Sequence, residues 1–394
     1  MENIIQNYAW GSVTEMPRLL GLGGGTDKPK AELWMGAHPK APSQVVCAGI
    51  KQSLPELIDT EPEHILGKKV AEKYGTLPFL FKVLTAAKSL SIQAHPNLEQ
   101  AGKGYEEENK AGIPIDAPNR NYRDPNHKPE LICALTSFLA LRGFRPVEEI
   151  INNFPSNLFP YLKEPLRRLE SDQSSEALSM FFKKIMESPG DVREKLTSAA
   201  VKMSRNVDDV TGRIIKKIAY DYPGNIGILG PLFLNALELN PGEAMFLDAG
   251  ELHAYIQGGG IEIMANSDNV LRGGNTAKHI DVPELMNVLT FRTGKPRILH
   301  PVAEPSGCGK FFQTPAPEFR LAFLELTREG CTLRSSSPEI LLCTEGEGRA
   351  AASDSSKETF KRGESLFIPA SEGEYTLNGH GKVFRAAAGI MENQ

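Results

Sequence analysis

The sequence predicts a mainly β protein with a helical insertion between two jelly-roll barrels. Three observations predict it. Short β-type runs among Gly and Pro fill residues 1 to 145, helical periodicity takes over from 146 to 222, and strand-and-turn texture returns from 238 onward. An internal repeat then ties the two β-rich blocks together. At 394 residues the chain has room for two or three domains of ~150 residues. The expected division is 1–145 with 227–295 as one barrel, 146–226 as a helical domain and 296–394 as a second barrel.

The elements follow in order. In the first block the β runs are 43–46, 78–84, 89–95 and 130–135, apolar or alternating and bounded by turn residues. In the insertion, Ala177, Leu178, Phe181, Phe182 and Ile185 recur at three- and four-residue steps, as do Ile214, Ile215, Ile218 and Ala219. Ser174 or Ser175 is the expected cap of the first of these helices, and Pro189-Gly190 its stop. In the last block, PGEAMFLDAGELHAY (241–255) aligns without gaps on RGESLFIPASEGEYT (362–376), with five of fifteen positions identical. A turn glycine, a short apolar strand, a second turn and a new strand is how jelly-roll and cupin barrels are built. Where the first copy has His253, the second has Glu374. A metal held by either barrel therefore belongs to the first.

Composition narrows the function. Hydrophobic residues at 40% and charged residues at 24% describe a soluble globular protein with an ample core. With 44 Lys and Arg against 49 Asp and Glu, a generally basic nucleic-acid surface is excluded, and an anionic substrate needs a local basic pocket. No apolar run approaches the ~18 residues of a membrane span. The opening MENIIQNYAWGS lacks the basic and apolar regions of a signal peptide. Five scattered cysteines without a CxxC pair read as free thiols of a reducing compartment, not as a disulfide framework or a thiolate zinc site. A cytoplasmic protein without nucleic-acid or membrane partners is expected.

The chemistry-bearing residues cluster in the two parts of the first barrel. Over 89–95, Ser89, Ser91, Gln93 and His95 alternate with Leu90, Ile92 and Ala94, so one strand face is polar and ends in a possible ligand pair. Glu130 opens the apolar run 131–135, where a carboxylate is costly unless it is paired or bound to a cation. Lys128, two residues earlier, can project to the same side. His253 and Tyr255 share a face just after Gly250. Gln93, His95, Glu130 and His253 together form a thiolate-free set suited to zinc, and two His with a carboxylate equally suit a ferrous oxygenase site. Lys82 interrupts an apolar strand and either snorkels to an edge or lines a cavity that holds an anion. Glu262 shares a face with Met264, opposite Ile261 and Ile263. Asp268, Arg272 and Lys278 follow in a loop able to hold a phosphate, which Arg can grip bidentately. The glycine runs 21–25 and 258–260 read as a surface turn and a hairpin turn, since neither carries the rest of a phosphate loop.

Asn7-Tyr8-Ala9-Trp10-Gly11, AELWMGAHPKAPS (31–43), LPFLFKVL (77–84), LSIQAHPN (90–97), RNYRDPNHKPEL (120–131), NPGEAMFL (240–247), HAY (253–255) and EIMANSDNVLRGG (262–274) occur in this order along almost the whole chain. In these segments the sequence resembles the type I phosphomannose isomerases. The resemblance implies a metal-binding catalytic cupin domain, a helical domain and a C-terminal jelly roll without metal. It implies one zinc per chain on Gln93, His95, Glu130 and His253, with Arg272 catalytic and Lys128, Asp268 or Glu262 moving the proton. Ser91 and Lys278 resemble positions associated with the substrate phosphate; Lys82, His127 and Tyr255 are further substrate-binding candidates. The reaction implied interconverts mannose 6-phosphate and fructose 6-phosphate through an enediol(ate), by a monomer serving mannose catabolism or GDP-mannose synthesis. The sequence departs from the family pattern at Leu252, where the family often has Pro before the ligand histidine, and over one further stretch. GGNTAKH (273–279) carries Asn275, Ala277 and His279 where the family has Leu, Pro and an aromatic, which bears on phosphate binding and leaves the metal set untouched. An iron oxygenase and a non-catalytic sugar-phosphate binder are the rival readings.

Overall fold

The computed structural model describes residues 1–390 except 24–26, 48, 206 and 354–355. Residues 24 and 25 of the expected surface turn lie outside it. Period-two alternation builds the first sheet. In strand Phe79–Ala86, the side chains of Phe79, Phe81 and Val83 join one apolar cluster while Leu80 and Leu84 join others on the opposite face. The sheet's spine is the strand His253–Ala265. Its first half pairs with Phe138–Phe144 and meets Gln93 of Ile92–Ala94. Its second half runs between Phe79–Ala86 and Glu130–Ala134.

That change of partners falls at the glycine run, and it corrects the hairpin expected at 258–260. The strand continues through all three glycines. Pairing with Phe138–Phe144 ends at Gln257, and Gly258 has φ of +130°, where a side chain would be strained. A Cβ at Gly258 would lie 2.7 Å from the Ser137 carbonyl oxygen, and one at Gly260 would lie 2.8 Å from Ile132 Cδ1. The glycines let one strand bend tightly between two sets of neighbours.

The outer faces are covered by the rest of the chain. Ile92, Ala94, Leu141, Ala254 and Ile256 pack against Phe181, Phe182, Ile185, Ile214 and Ile218 of the insertion. Phe81, Val83, Leu131, Ile261 and Ile263 pack against Phe319, Leu321, Ile340, Leu342 and Phe384 of the C-terminal block. At roughly 1.5–3 kcal/mol for each large side chain buried, these contacts clamp both sheets. The insertion contains the helices Val147–Asn153, Lys163–Ser171, Ser175–Met186, Gly190–Ser204 and Val210–Asp221. The Ser174 hydroxyl caps the third by accepting from the Ala177 N–H. Pro189-Gly190 stands at the start of the next helix, and the capped one ends at Met186. No helix among the described residues is long and apolar enough to cross a membrane.

The internal repeat is a structural equivalence. Strands Ala244–Leu247 and Ser365–Ile368 occupy matching positions, as do the starts of the spines His253–Ala265 and Glu374–Ala387. Each copy opens on a glycine in the left-handed region, Gly242 at φ 89° and Gly363 at φ 87°. The second spine pairs with Arg320–Leu326, Cys331–Arg334 and Glu339–Ala352.

Two further local expectations fail. Only Ile92–Ala94 of 89–95 is strand. Ser89 turns away to the insertion, where its N–H and hydroxyl both donate to Asp221 Oδ2 at 2.8 Å, while Leu90 packs at the edge of the inner cluster. The reading of all cysteines as free thiols also fails, because Cys308 and Cys331 form a disulfide. Cys133 and Cys343 are free and buried, and the side chain of Cys47 is outside the described residues.

Candidate metal centre and active site

Inside the sandwich, beyond the apolar inner cluster, the side chains turn polar. His95, Glu130 and His253 converge there, 1%, 2% and 1% exposed, with ligand atoms all within 4.8 Å of one another. His95 Nε2 lies 3.4 Å from Glu130 Oε1 and His253 Nε2 lies 3.3 Å from Glu130 Oε2. Each imidazole is aimed by its other nitrogen. His95 Nδ1 lies 2.7 Å from the Asn269 carbonyl oxygen and His253 Nδ1 lies 3.0 Å from that of Glu251. Only an N–H can donate to a carbonyl, so the proton sits on Nδ1 and both Nε2 lone pairs face the centre.

Gln93 is the register partner of His253, and its Nε2 stands 3.5 Å from His253 Nε2. Turning the amide over presents Oε1 to the centre and leaves Nε2 for the Ser91 hydroxyl, now 3.2 Å from Oε1. His95 Nε2 and Glu130 Oε2 are buried without a hydrogen-bond partner among the described residues. Leaving such atoms unpaired costs ~1–3 kcal/mol each, which a bound cation removes. The residues fit a divalent metal without thiolates. Burial pulls the His95 imidazolium down to about 4, keeping the ring neutral as a ligand requires. Burial pushes the Glu130 carboxyl up, but Lys128 and the imidazoles outweigh it and hold it well below the usual range.

Around this centre stand the other candidates. Lys128 Nζ is 3.2 Å from Glu130 Oε1. Arg272 is the register partner of Gln93, so Arg272, Gln93 and His253 share one face across three strands. The guanidinium makes no ion pair or hydrogen bond among the described residues. Burial and the nearby charge of Arg123 both lower its pKa, and Lys278 is lowered by partial burial, Arg272 and Arg123 in turn. Three cations thus sit within electrostatic reach of one another, with Arg272 paired to Gln93 of the metal set.

A second buried charged group lies in the same sheet. Lys82, directly across from Glu262, donates to its Oε2 at 2.8 Å and stands 3.7 Å from Glu32 Oε1. The Tyr255 hydroxyl donates to Glu262 Oε1 at 2.8 Å and Trp34 Nε1 to Glu32 Oε2 at 2.6 Å. Lys82 therefore lines the interior and meets an anion, that of its own chain. Burial raises the Glu262 carboxyl despite the pull of Lys82.

Comparison with known proteins settles the relationship. Residues 1–147 match the model of the phosphomannose isomerase type I catalytic domain, and 310–388 that of the mannose-6-phosphate isomerase cupin domain. The chain is 42% identical to the mannose-6-phosphate isomerase of Escherichia coli (strain K12), with 97% of each chain aligned. The chain belongs to the type I phosphomannose isomerase family. The human mannose-6-phosphate isomerase is 36% identical over 93% of this chain and 92% of its own. Among solved structures, a mutant phosphomannose isomerase from Salmonella typhimurium superposes with a TM-score of 0.93 at 38% identity, covering 98% of both chains. A zinc-bound mannose 6-phosphate isomerase gives 0.91 at 39%, covering 99% of this chain and 98% of that one.

Within this phosphomannose isomerase framework, two candidates face elsewhere. Asp268 is engaged at the rim by Lys40 at 2.5 Å and His38 at 3.6 Å, which together outweigh its burial and hold its carboxyl well below the ordinary range. His127 Nε2 meets Glu318 Oε1 of the C-terminal block at 2.9 Å. Sequence reasoning passed over Glu32, Trp34, Arg123 and Asn269. For Glu32 and Trp34 a signal existed, since two polar-tipped residues alternate with Leu33 and Met35 in strand Glu32–Gly36. Arg123 and Asn269 sit in irregular loops and carried none.

Proposed function

We propose that this chain interconverts mannose 6-phosphate and fructose 6-phosphate, with one zinc ion per chain held by Gln93, His95, Glu130 and His253. The observation that carries the reading is the convergence of two Nε2-presenting imidazoles and a carboxylate beside Arg272. When bound, the ion supplies a Lewis acid next to the oxygens of the two carbons between which the proton moves. The protein must then move that proton and stabilise an enediolate. Lys128 is the favoured carrier, because its amine stands against Glu130 at the centre itself. Asp268 is a poor base while Lys40 and His38 hold it ionised at the rim. Glu262 is held by Lys82 and Tyr255, and we assign these three to shaping and charging the inner wall.

Arg272 is assigned to the developing anion, since its guanidinium has no carboxylate partner among the described residues and is free to hold one. Ser91, Lys278 and Arg123 are assigned to the phosphate. Arg123 supplies a cation beside the departing 273–279 stretch. The catalytic unit is assigned to 1–145 with 227–295, against a helical unit of 146–226 and a metal-free jelly roll of 296–394. A cytoplasmic monomer linking mannose catabolism or GDP-mannose synthesis to fructose 6-phosphate completes the reading. The test is conversion of mannose 6-phosphate by chelator-stripped protein before and after zinc is restored. Activity should vanish and return; folded protein inactive in both states would defeat the reading.

A further inference from the structure

Asn269 is fully buried, and its side chain is saturated by one loop. Its Oδ1 accepts from the backbone N–H of Arg123 at 2.6 Å and of Asp124 at 3.2 Å. Its Nδ2 donates to the carbonyls of Asp124 at 2.7 Å and Asn126 at 2.9 Å. Two N–H groups face one end of the amide and two carbonyls the other, so only one orientation satisfies all four. The same residue's carbonyl accepts from His95 Nδ1 at 2.7 Å. Asp124 closes the clasp from the far side, its Oδ2 accepting from the Asp268 N–H at 2.7 Å and its Oδ1 from the Asn126 N–H at 3.0 Å.

One buried residue therefore touches two parts of the site that are distant in sequence. Its side chain holds the loop that presents Arg123 and leads through Lys128 to Glu130; its carbonyl holds the tautomer and aim of His95. We propose that Asn269 is a positioning residue that couples metal affinity to substrate affinity by clamping this loop against the His95 carbonyl partner. An aspartate in its place keeps both acceptor contacts but turns an oxygen toward two carbonyls that need a donor. The loop must then withdraw, and the backbone at 269 moves with it. The substrate arm rests on the isomerase reading, whereas the metal arm stands without it.

The test compares Asn269→Asp with the parent well below both unfolding temperatures. Zinc affinity is read by competition with a chromophoric chelator, and KM and kcat for mannose 6-phosphate are measured on the zinc-loaded proteins. Zinc affinity should fall by about 10-fold or more, the range typical of residues that orient metal ligands, and KM should rise together with it. A purely structural asparagine lowers the unfolding temperature and leaves zinc affinity and KM of the folded fraction unchanged; that result overturns the proposal. A changed KM with unchanged zinc affinity overturns the coupling as well. Should Asn269→Asp fail to fold, Asp124→Asn breaks the same clasp from its half-buried side, and the same two readouts decide. Weakened zinc binding in the variant, with a parent that turns over no mannose 6-phosphate, would sink the assigned reaction and leave the positioning role standing.

Discussion

Replacing Lys82 by methionine should destabilise the first barrel strongly and in a pH-dependent way. Methionine keeps most of the side-chain volume, so the change is chiefly electrostatic. Lys82 is 5% exposed, 2.8 Å from Glu262 Oε2 and 3.7 Å from Glu32 Oε1. In its absence the donors to these two buried carboxylates that remain among the described residues are neutral, the Tyr255 hydroxyl and Trp34 Nε1. Removing one partner of a buried pair costs roughly 3–5 kcal/mol, because the other charge stays desolvated. Burial already raises the Glu262 carboxyl, and loss of the ammonium raises it further. A carboxyl whose folded pKa exceeds its unfolded value of about 4.3 takes up a proton on folding, so that stabilisation is lost as pH rises through the folded pKa. The variant's deficit should therefore be smaller near pH 5.5 than near pH 8, by about 1 kcal/mol or more. Urea unfolding followed by tryptophan fluorescence is the assay. The chain's two tryptophans are Trp10 and Trp34, and Lys82 lies 5.6 Å from the ring of Trp34, so the signal reports this barrel. Adding Glu262→Gln to Lys82→Met should recover part of the loss. A variant within about 1 kcal/mol of the parent at both pH values, or one hurt more at low pH, would refute the reasoning.

Arg272→Ala should lower kcat by about 100-fold or more while leaving the unfolding midpoint near that of the parent, if the guanidinium acts on the reaction's anion as proposed and has no ion-pair partner among the described residues; near-normal turnover removes it from the mechanism. Asp268→Asn should cost about 1 kcal/mol near neutral pH, where the carboxylate is paired with Lys40 and His38. That carboxyl is held below its unfolded value, so its contribution is present above about pH 3.9 and lost as pH falls; a gap that persists in acid would show that the ion pairs are not its source. Cys308→Ala should destabilise the C-terminal barrel by roughly 3 kcal/mol in non-reduced protein, given the sequence separation of 23 residues, and by little after reduction. Equal stability of parent and variant without reductant would mean that the bridge contributes nothing.

Much of this was legible in one dimension wherever a period or a repeat carried it. Glu262 with Met264 on one face, opposite Ile261 and Ile263, follows from alternation alone, and the packing agrees. The 121-residue offset between the two barrels follows from fifteen aligned positions, and turn, short strand and spine fall where it says. The residues of the metal centre were identifiable because a carboxylate or imidazole beside an apolar run needs a reason to be there. The failures share a different origin. Ser89 left its alternating face because the side chain of Asp221, 1% exposed in the insertion, needs donors beyond Lys217. Gly258–Gly260 looked like a turn because tight bends and close strand crossings ask for the same absence of a Cβ.

The class of fold, the order of its three textures and the identity of the ligand-type side chains are all encoded along the chain. Local sterics and the two periods depend only on near neighbours along the chain. Which charges meet is settled in three dimensions. Lys82 pairs with Glu262 across 180 residues, Lys40 with Asp268 across 228, and His127 with Glu318 across 191. Those pairings give three candidate site residues partners within their own chain. They depend on separation in space and on the water removed around each pair, and no pattern along the chain encodes either.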